Sequence, residues 1–112
     1  MTISERWDVV LVPFPFTDLS RAKKRPAVVL SARDYNDSGD AIIGFLTSNL
    51  SGPERVGDYI LSEPSAAGLP LPTRFRLKLA MIDLSIVVKR LGTISEGDRK
   101  GIAGQIRACL VE

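Results

Sequence analysis

The chain has 112 residues, 45% of them hydrophobic and 25% charged, and its 15 Lys and Arg against 13 Asp and Glu give a net charge of +2. These values predict one globular domain over 1–112 and exclude a disordered or polybasic protein, so a nucleic-acid site would have to be a local cluster of cations. The single cysteine, Cys109, and the absence of histidine exclude an internal disulfide, a multi-cysteine zinc site and histidine-dependent catalysis.

The sequence carries no signal for membrane insertion or export. Its apolar runs are far shorter than the roughly 18 residues of a membrane span. Met1 to Arg6 lack the basic-then-apolar order of a signal peptide. We therefore expect a cytoplasmic protein with no membrane partner, and no residue cluster suggests a metal or a cofactor.

Short apolar runs predict three strands in the first half of the chain, Trp7 to Val12, Pro26 to Ser31 and Ala41 to Leu46. Such continuous runs are typical of strands buried on both faces. The polar segment from Phe16 to Lys24 predicts an exposed, mobile loop between the first two strands. Asp34 to Asp40, rich in Asp, Asn, Ser and Gly, predicts a turn region.

Three more strands are predicted in the second half of the chain. A short edge strand, Asp58 to Leu61, follows the loop from Ser51 to Gly57, and an irregular proline-containing connection leads to Thr73 to Ile82. The last strand is predicted from Ile86 to Leu91 and is expected to end at Gly92.

A helix is predicted to follow the strands. Ser95 is a good N-cap, and Asp98 three residues later is close to a capping box. Ile102, Ile106 and Leu110 recur every four residues, with Cys109 beside them as a small hydrophobe, and this stripe is expected to pack on the sheet. Strands first and one helix last predict a mainly β fold, a small and strongly bent barrel closed by a C-terminal helix.

The densest cluster of cations comprises Arg21, Lys23, Lys24 and Arg25, between the long loop and a buried strand. A guanidinium fixed by a strand, with flexible lysines next to it, suits a phosphodiester. The alternative interpretation is a solvated loop whose lysines serve solubility.

A second set of cations follows the predicted strand from Thr73 to Ile82. Arg74, Arg76 and Lys78 alternate with Phe75, Leu77 and Leu79, which puts the three cations on one face. They require an anionic ligand, cross-strand carboxylates or open water. The alternative to a binding role is an exposed outer face whose cations pair with Asp or Glu.

Polar residues at strand ends are the remaining candidates. Thr47, Ser48 and Asn49 end a predicted strand, where hydroxyl groups usually satisfy local backbone. Thr47 gains a functional interpretation if it faces Arg25 across adjacent strands, because an arginine and a hydroxyl could then bind one phosphate. Three carboxylates near strand ends, Asp8, Asp18 and Asp83, are interpreted as structural acceptors, and Trp7 as core or edge packing.

The segment WDVVLVPFPFTDLS from Trp7 to Ser20, followed by KKRPAVVLS from Lys23 to Ser31, resembles the PemK/MazF family of type II toxins. Further matches are Thr47-Ser48 at a strand end and Leu91-Gly92 before a Ser-capped helix, so the resemblance covers nearly the whole chain. It implies an SH3-like β-barrel of the PemK/MazF/CcdB-like toxin fold, working as a homodimer. It also implies metal-independent, ribosome-independent cleavage of single-stranded mRNA at a short sequence, and inhibition by a cognate antitoxin protein.

The resemblance also assigns roles to residues. Arg25 and Thr47 would be the catalytic pair, stabilising the transition state as the ribose 2′-OH attacks phosphorus to leave a 2′,3′-cyclic phosphate and a 5′-OH. The RNA-binding residues would be Lys23, Lys24, Ser48, Arg74, Arg76 and Lys78. Two positions depart from the family pattern: Trp7 replaces a glycine, and Lys78 stands where an acidic residue is common. The general base is therefore left unassigned.

Two alternatives to an endoribonuclease stay open. One is a binding module on the same barrel, such as a poison of DNA gyrase, and the other is an inactive homologue that only pairs with an antitoxin. The antitoxin is expected to present an acidic segment that folds on the cationic surface around Lys23, Lys24, Arg74 and Arg76, and to mediate any contact with DNA. The endoribonuclease interpretation requires Arg25 and Thr47 to converge on one groove, with Arg25 not bound to a buried carboxylate.

Overall fold

A computed structural model describes residues 4–13 and 23–111. In these ranges six antiparallel strands form one sheet in the order β4-β5-β3-β2-β1-β6. The strands are β1 (Asp8–Pro13), β2 (Lys24–Val29), β3 (Asp40–Thr47), β4 (Tyr59–Ile60), β5 (Arg74–Asp83) and β6 (Lys89–Thr93). Helix α1 (Arg33–Asn36) lies between β2 and β3, and helix α2 (Glu96–Ile106) follows β6. The sheet curls into a half-barrel with a C-terminal helix, which confirms the predicted fold class.

Both faces of the sheet are buried, as the continuous apolar runs of β1 and β2 predict. Val9, Val28 and Phe75 belong to one hydrophobic core, which also takes in Ile102 of α2. Alternate residues of the same strands form a second core on the other face, built around Val10, Val12, Ala27, Val29, Ala41, Ile43 and Ile82. The alternation of side chains along a strand explains why neighbouring valines serve different cores.

The pairing of β3 with β5 is irregular next to the cations of β5. Leu79 lies opposite Gly44, whereas Arg76 lies opposite Phe45, so β5 carries two extra residues between these pairs. Gly44 is required there because a Cβ would lie 2.6 Å from the Phe75 ring. Leu77 packs against the α2-side core, and the Lys78 ammonium lies 5.8 Å from the centre of the Phe45 ring on the opposite face. The predicted alternation along this strand is therefore kept.

Helix α2 begins as predicted, with the Ser95 hydroxyl accepting a hydrogen bond from the Asp98 N–H at 3.3 Å. The Asp98 carboxylate does not complete a capping box. It is fully buried and accepts hydrogen bonds from the Tyr59 hydroxyl, from both the N–H and the hydroxyl of Ser62, and from the Glu63 N–H. It thereby ties α2 to the end of the edge strand β4.

The end of the chain differs from the predicted apolar stripe. Ile102 is buried and Ile106 packs against the core, but Leu110 is 59% exposed and Cys109 is exposed as well. The physical reason is that Arg107–Val111 widens into a π-helical turn, which changes the helical phase after Ile106. The interpretation of Cys109 as a packed hydrophobe is wrong.

Two other boundaries are corrected by local contacts. The last strand starts later than predicted because Leu84–Ile86 forms a 3₁₀ turn, in which the Asp83 carboxylate accepts from the Ser85 N–H at 2.9 Å. The strand also continues through Gly92, whose backbone lies too close to that of Ala67 for a Cβ to fit. In the predicted turn region, Arg33–Asn36 forms the short helix α1.

Among the described residues, no helix is long and apolar enough to cross a membrane.

Candidate nucleic-acid site

Arg25, Thr47 and Arg74 lie in one row across three adjacent strands. Ala27 is opposite Phe45 in the β2–β3 pair, and extending this antiparallel register by two residues places Arg25 opposite Thr47. Thr47 is in turn opposite Arg74 in the β3–β5 pair. Because residues directly opposite in antiparallel strands project from the same face, the three side chains share one face of the sheet.

Arg25 and Thr47 line a common cavity of about 130 Å³. Ser48 also lines it, and its far wall comes from the segment between β4 and β5, with Leu69, Pro70, Leu71 and Thr73. A water molecule occupies about 30 Å³ in the liquid, so the cavity has room for a small anionic group such as a phosphate. The condition for a shared phosphate site, convergence of Arg25 and Thr47, is therefore met.

The Arg25 guanidinium is not held by a carboxylate in the described part of the chain. Its Nε is buried and has no hydrogen-bond partner among residues 4–13 and 23–111. A buried guanidinium donor without an acceptor costs free energy, which an anionic ligand in the adjacent cavity would recover.

The Thr47 hydroxyl has both a structural role and donor capacity. Its oxygen accepts a hydrogen bond from the Asn49 N–H at 3.1 Å, which supports the turn that ends β3. The hydroxyl keeps its own hydrogen for donation. Thr47 is thus held in place by the turn while its O–H can serve a ligand in the cavity.

The cations of β5 are organised around Asp58, a residue that sequence reasoning did not single out. Arg76 binds the Asp58 carboxylate through Nε at 3.0 Å and Nη2 at 2.8 Å, and the Arg74 Nε lies 3.7 Å from the same carboxylate. The hydrogen bonds from Arg76 lower the pKa of Asp58 and outweigh the opposing effect of burial. The expectation of cross-strand carboxylates holds here, but Arg74, only 5% exposed, does not lie on a solvated outer face.

The remaining predicted RNA-binding residues lie at the surface. Lys23 and Lys24 are exposed at the start of β2, Ser48 is exposed beside Thr47, and Lys78 is exposed on β5. Asp18, Arg21 and most of the loop predicted from Phe16 to Lys24 fall outside the described residues.

Two carboxylates near strand ends are structural acceptors, as predicted. Asp8 accepts from the Glu5 N–H at 3.0 Å and from the Arg90 Nε at 3.1 Å, and Asp83 caps the 3₁₀ turn. Within the described ranges, no cluster of three or more Asp, Glu or Cys side chains could hold a metal ion.

The chain matches a known protein family over most of its length. Residues 5–110 match the family model of PemK-like, MazF-like toxins of type II toxin-antitoxin systems. The chain belongs to this family. The residues that carried the resemblance, including Arg25-Pro26 and Thr47-Ser48, lie inside the matched range. None of the curated proteins gives a significant match.

Solved structures of toxins share the fold at low sequence identity. MazF from Deinococcus radiodurans is 20% identical, with full coverage of both chains and a TM-score of 0.76. A MazE–MazF complex from the same organism gives 18% identity, 97% coverage of each chain and a TM-score of 0.76. An endoribonuclease from a mycobacterial species, bound to its cognate antitoxin, gives 15% identity, coverage of 98% of this chain and 95% of that one, and a TM-score of 0.75.

This member of the PemK/MazF family has a strained backbone at Trp7, directly before β1. Trp7 has φ = +77°, in the left-handed region that residues other than glycine rarely adopt. Its N–H donates to the Val29 carbonyl at 2.7 Å, and its carbonyl accepts from the Ile94 N–H at 3.0 Å. These bonds and the packing of the indole on the core hold the strained conformation at the entry to β1.

Proposed function

We propose that this chain is the toxin component of a type II toxin-antitoxin system and acts as a metal-independent, ribosome-independent endoribonuclease on single-stranded mRNA. The observation that carries the proposal is the shared cavity of Arg25 and Thr47, in which the guanidinium has no carboxylate partner among the described residues. The endoribonuclease named among its structural neighbours supports the same activity.

The proposed reaction is attack of a ribose 2′-OH on the adjacent phosphorus, which releases a 5′-OH and leaves a 2′,3′-cyclic phosphate. Negative charge grows on the non-bridging oxygens in the transition state. Arg25 would bind that charge with parallel N–H donors, and the Thr47 hydroxyl would donate one further hydrogen bond. Fixed donors of this kind are effective because they need little reorganisation during the reaction.

Proton removal from the 2′-OH is not assigned to Asp58. Its carboxylate is bound to Arg76 and lies near Arg74, and its pKa is lowered. A carboxylate held in its ionised form by two guanidinium groups is a weak base. Arg25 is also unsuited, because arginine stays protonated.

The proposal extends to partners. Structural neighbours crystallised with MazE or another cognate antitoxin support an antitoxin partner for this chain. The exposed cations Lys23, Lys24 and Lys78 would receive its acidic segment, and any DNA contact would be made through the antitoxin. We also propose that the protein works as a homodimer in the cytoplasm.

The test is cleavage of a long single-stranded RNA in EDTA by the wild type, by Arg25→Ala and by Arg33→Ala. Arg33 is an exposed arginine of α1 paired with Glu5 and serves as the matched control. We expect discrete wild-type fragments ending in a cyclic phosphate. Arg25→Ala should be about 10²–10³-fold slower, as for loss of one transition-state donor, while Arg33→Ala cleaves normally.

Two results would contradict the proposal. Intact RNA after incubation with folded wild-type protein would favour a binding module or an inactive homologue. Equal rates for Arg25→Ala and the wild type would remove Arg25 from the chemistry.

A further inference from the structure

Asp58 is a buried carboxylate that binds the cations next to the proposed active site. It has no side-chain exposure, and it follows Gly57 directly before β4. One oxygen accepts from the Arg76 Nε at 3.0 Å, and the other accepts from the Arg76 Nη2 at 2.8 Å and the Arg55 N–H at 2.9 Å. The guanidinium of Arg76 is therefore held in one orientation by a two-point contact.

Arg76 lies one step along β5 from the row formed by Arg25, Thr47 and Arg74. Thr47 lies directly opposite Arg74, and Arg76 is the next residue on the same face of β5. Such diagonal neighbours have backbones about 7–8 Å apart. The Arg76 guanidinium itself is turned to Asp58, on the β4 side of β5. Arg76 is not sealed off, since 17% of its side chain is exposed. The contact with Asp58 uses two of the five N–H donors of the guanidinium, which leaves three that point elsewhere.

The charges around Asp58 do not cancel. One carboxylate faces two guanidinium groups, from Arg74 and Arg76, so the group keeps a net charge of +1 next to the additional charge of Arg25. An arginine already held in place loses less rotational freedom when it binds a phosphate than a free one does. The three side chains thus keep their electrostatic attraction for RNA. Less side-chain entropy is lost when Arg76 binds a phosphate.

We propose that Asp58 is a positioning residue, which holds Arg76 in the orientation that binds an RNA phosphate beside the Arg25–Thr47 site. The proposal deepens the proposed endoribonuclease function and rests on it. Asp58 acts through Arg76 and does not touch the substrate.

The direction in which Asp58→Asn changes RNA affinity distinguishes a positioning role from a purely electrostatic one. Asp58→Asn removes a negative charge from a region that binds a polyanion, so electrostatics alone would tighten RNA binding. Loss of the two-point contact would instead release Arg76 and weaken binding and cleavage. Glu54→Gln is the matched control, because Glu54 is an exposed carboxylate of the same loop.

The experiment compares the wild type, Asp58→Asn, Glu54→Gln, Arg76→Ala and the double variant Asp58→Asn/Arg76→Ala. Cleavage of single-stranded RNA gives kcat and KM. A random pool of 20-nucleotide 2′-O-methyl RNA, which lacks the attacking hydroxyl, gives affinity by fluorescence anisotropy. Circular dichroism checks that each variant is folded.

We expect Asp58→Asn to lower kcat/KM by about 10- to 100-fold, as for a displaced catalytic group, and to weaken pool binding several-fold. The double variant should be no worse than Arg76→Ala alone, because both changes remove the same interaction. Glu54→Gln should match the wild type or bind slightly tighter. Tighter binding by Asp58→Asn, or additive losses in the double variant, would overturn the proposal.

A second variant covers the case in which Asp58→Asn does not fold. Arg76→Lys keeps the positive charge but cannot make the two-point contact. It should lose nearly as much kcat/KM as Arg76→Ala, and wild-type kcat/KM would overturn the proposal. If the wild type binds the pool but cleaves nothing, the proposed function fails, and the binding data alone decide the role of Asp58. If the wild type cleaves and Asp58→Asn behaves like Glu54→Gln, only the positioning role fails.

Discussion

Replacing Asp98 by asparagine should destabilise the protein markedly at neutral pH and less in acid. Burial of Asp98 disfavours its charged form, but hydrogen bonds from Ser62, Tyr59 and Glu63 outweigh that effect and lower its pKa from 3.8 to about 2. Each unit of pKa corresponds to about 1.4 kcal/mol, so the ionised carboxylate contributes about 2 kcal/mol to the free energy of unfolding at pH 7.

The sign of the pH dependence follows from the lowered pKa. The contribution is complete above about pH 5, falls to about half near pH 3, and is mostly lost at pH 2, as protons bind the unfolded chain first. Asp98→Asn cannot ionise, so its deficit of about 2 kcal/mol at pH 7 should shrink steadily as the pH falls. Protonated aspartic acid and asparagine are similar in size, so the part of the deficit that changes with pH reports on the charge. The amide NH2 cannot accept a hydrogen bond, and that loss is the same at every pH.

Urea unfolding measures this deficit, followed by the fluorescence of Trp7, the only tryptophan. Glu96→Gln is the control, because Glu96 is an exposed acid in the same first turn of α2. The control should change the free energy of unfolding by less than about 1 kcal/mol through the helix dipole. An Asp98→Asn deficit of the same size at pH 7 and pH 2 would refute the reasoning, since it would then come from packing rather than from charge.

Two further predictions concern α2 and the cationic surface. Gly101→Ala should destabilise the protein by about 1–3 kcal/mol because its Cβ would overlap the Tyr59 ring, whereas Gly104→Ala meets open space and should stabilise it by up to about 1 kcal/mol. Urea unfolding of both variants checks this, and effects of equal sign would contradict it. If Lys24 contacts an RNA phosphate, Lys24→Ala should reduce the salt slope of log affinity by about 0.7. Anisotropy titrations across salt concentrations measure that slope, and an unchanged slope would exclude the contact.

Short-range sequence patterns predicted the strands and the helix start that are determined by residues close together in the chain. The apolar runs identified β1, β2 and β3, and Ser95 identified the start of α2. The suggestion that Arg25 faces Thr47 needed only the pairing of adjacent strands, and the structure brings both to one cavity.

What the sequence could not predict depends on contacts between distant segments. The partnership of Asp58 with Arg76 requires β4 to pair with β5, and that of Asp98 with Ser62 requires α2 to pack beside β4. The only local signal for Asp58 was a carboxylate directly before an edge strand. The exposure of Leu110 follows from a π-helical turn, for which a four-residue spacing gives no warning.

The shortness of β4 has a consequence for the dynamics of the molecule. A two-residue edge strand has too few ladder hydrogen bonds to hold itself in place, yet it is flanked by two buried carboxylates, Asp58 before it and Asp98 against its far end. Local opening of this edge is therefore limited by side chains rather than by the backbone ladder. Amide hydrogen exchange at Leu61, whose N–H donates to the Thr73 carbonyl at 3.0 Å, would then report on the order of Arg76. Fraying at the rim of the sheet and release of the Arg76 guanidinium become one equilibrium.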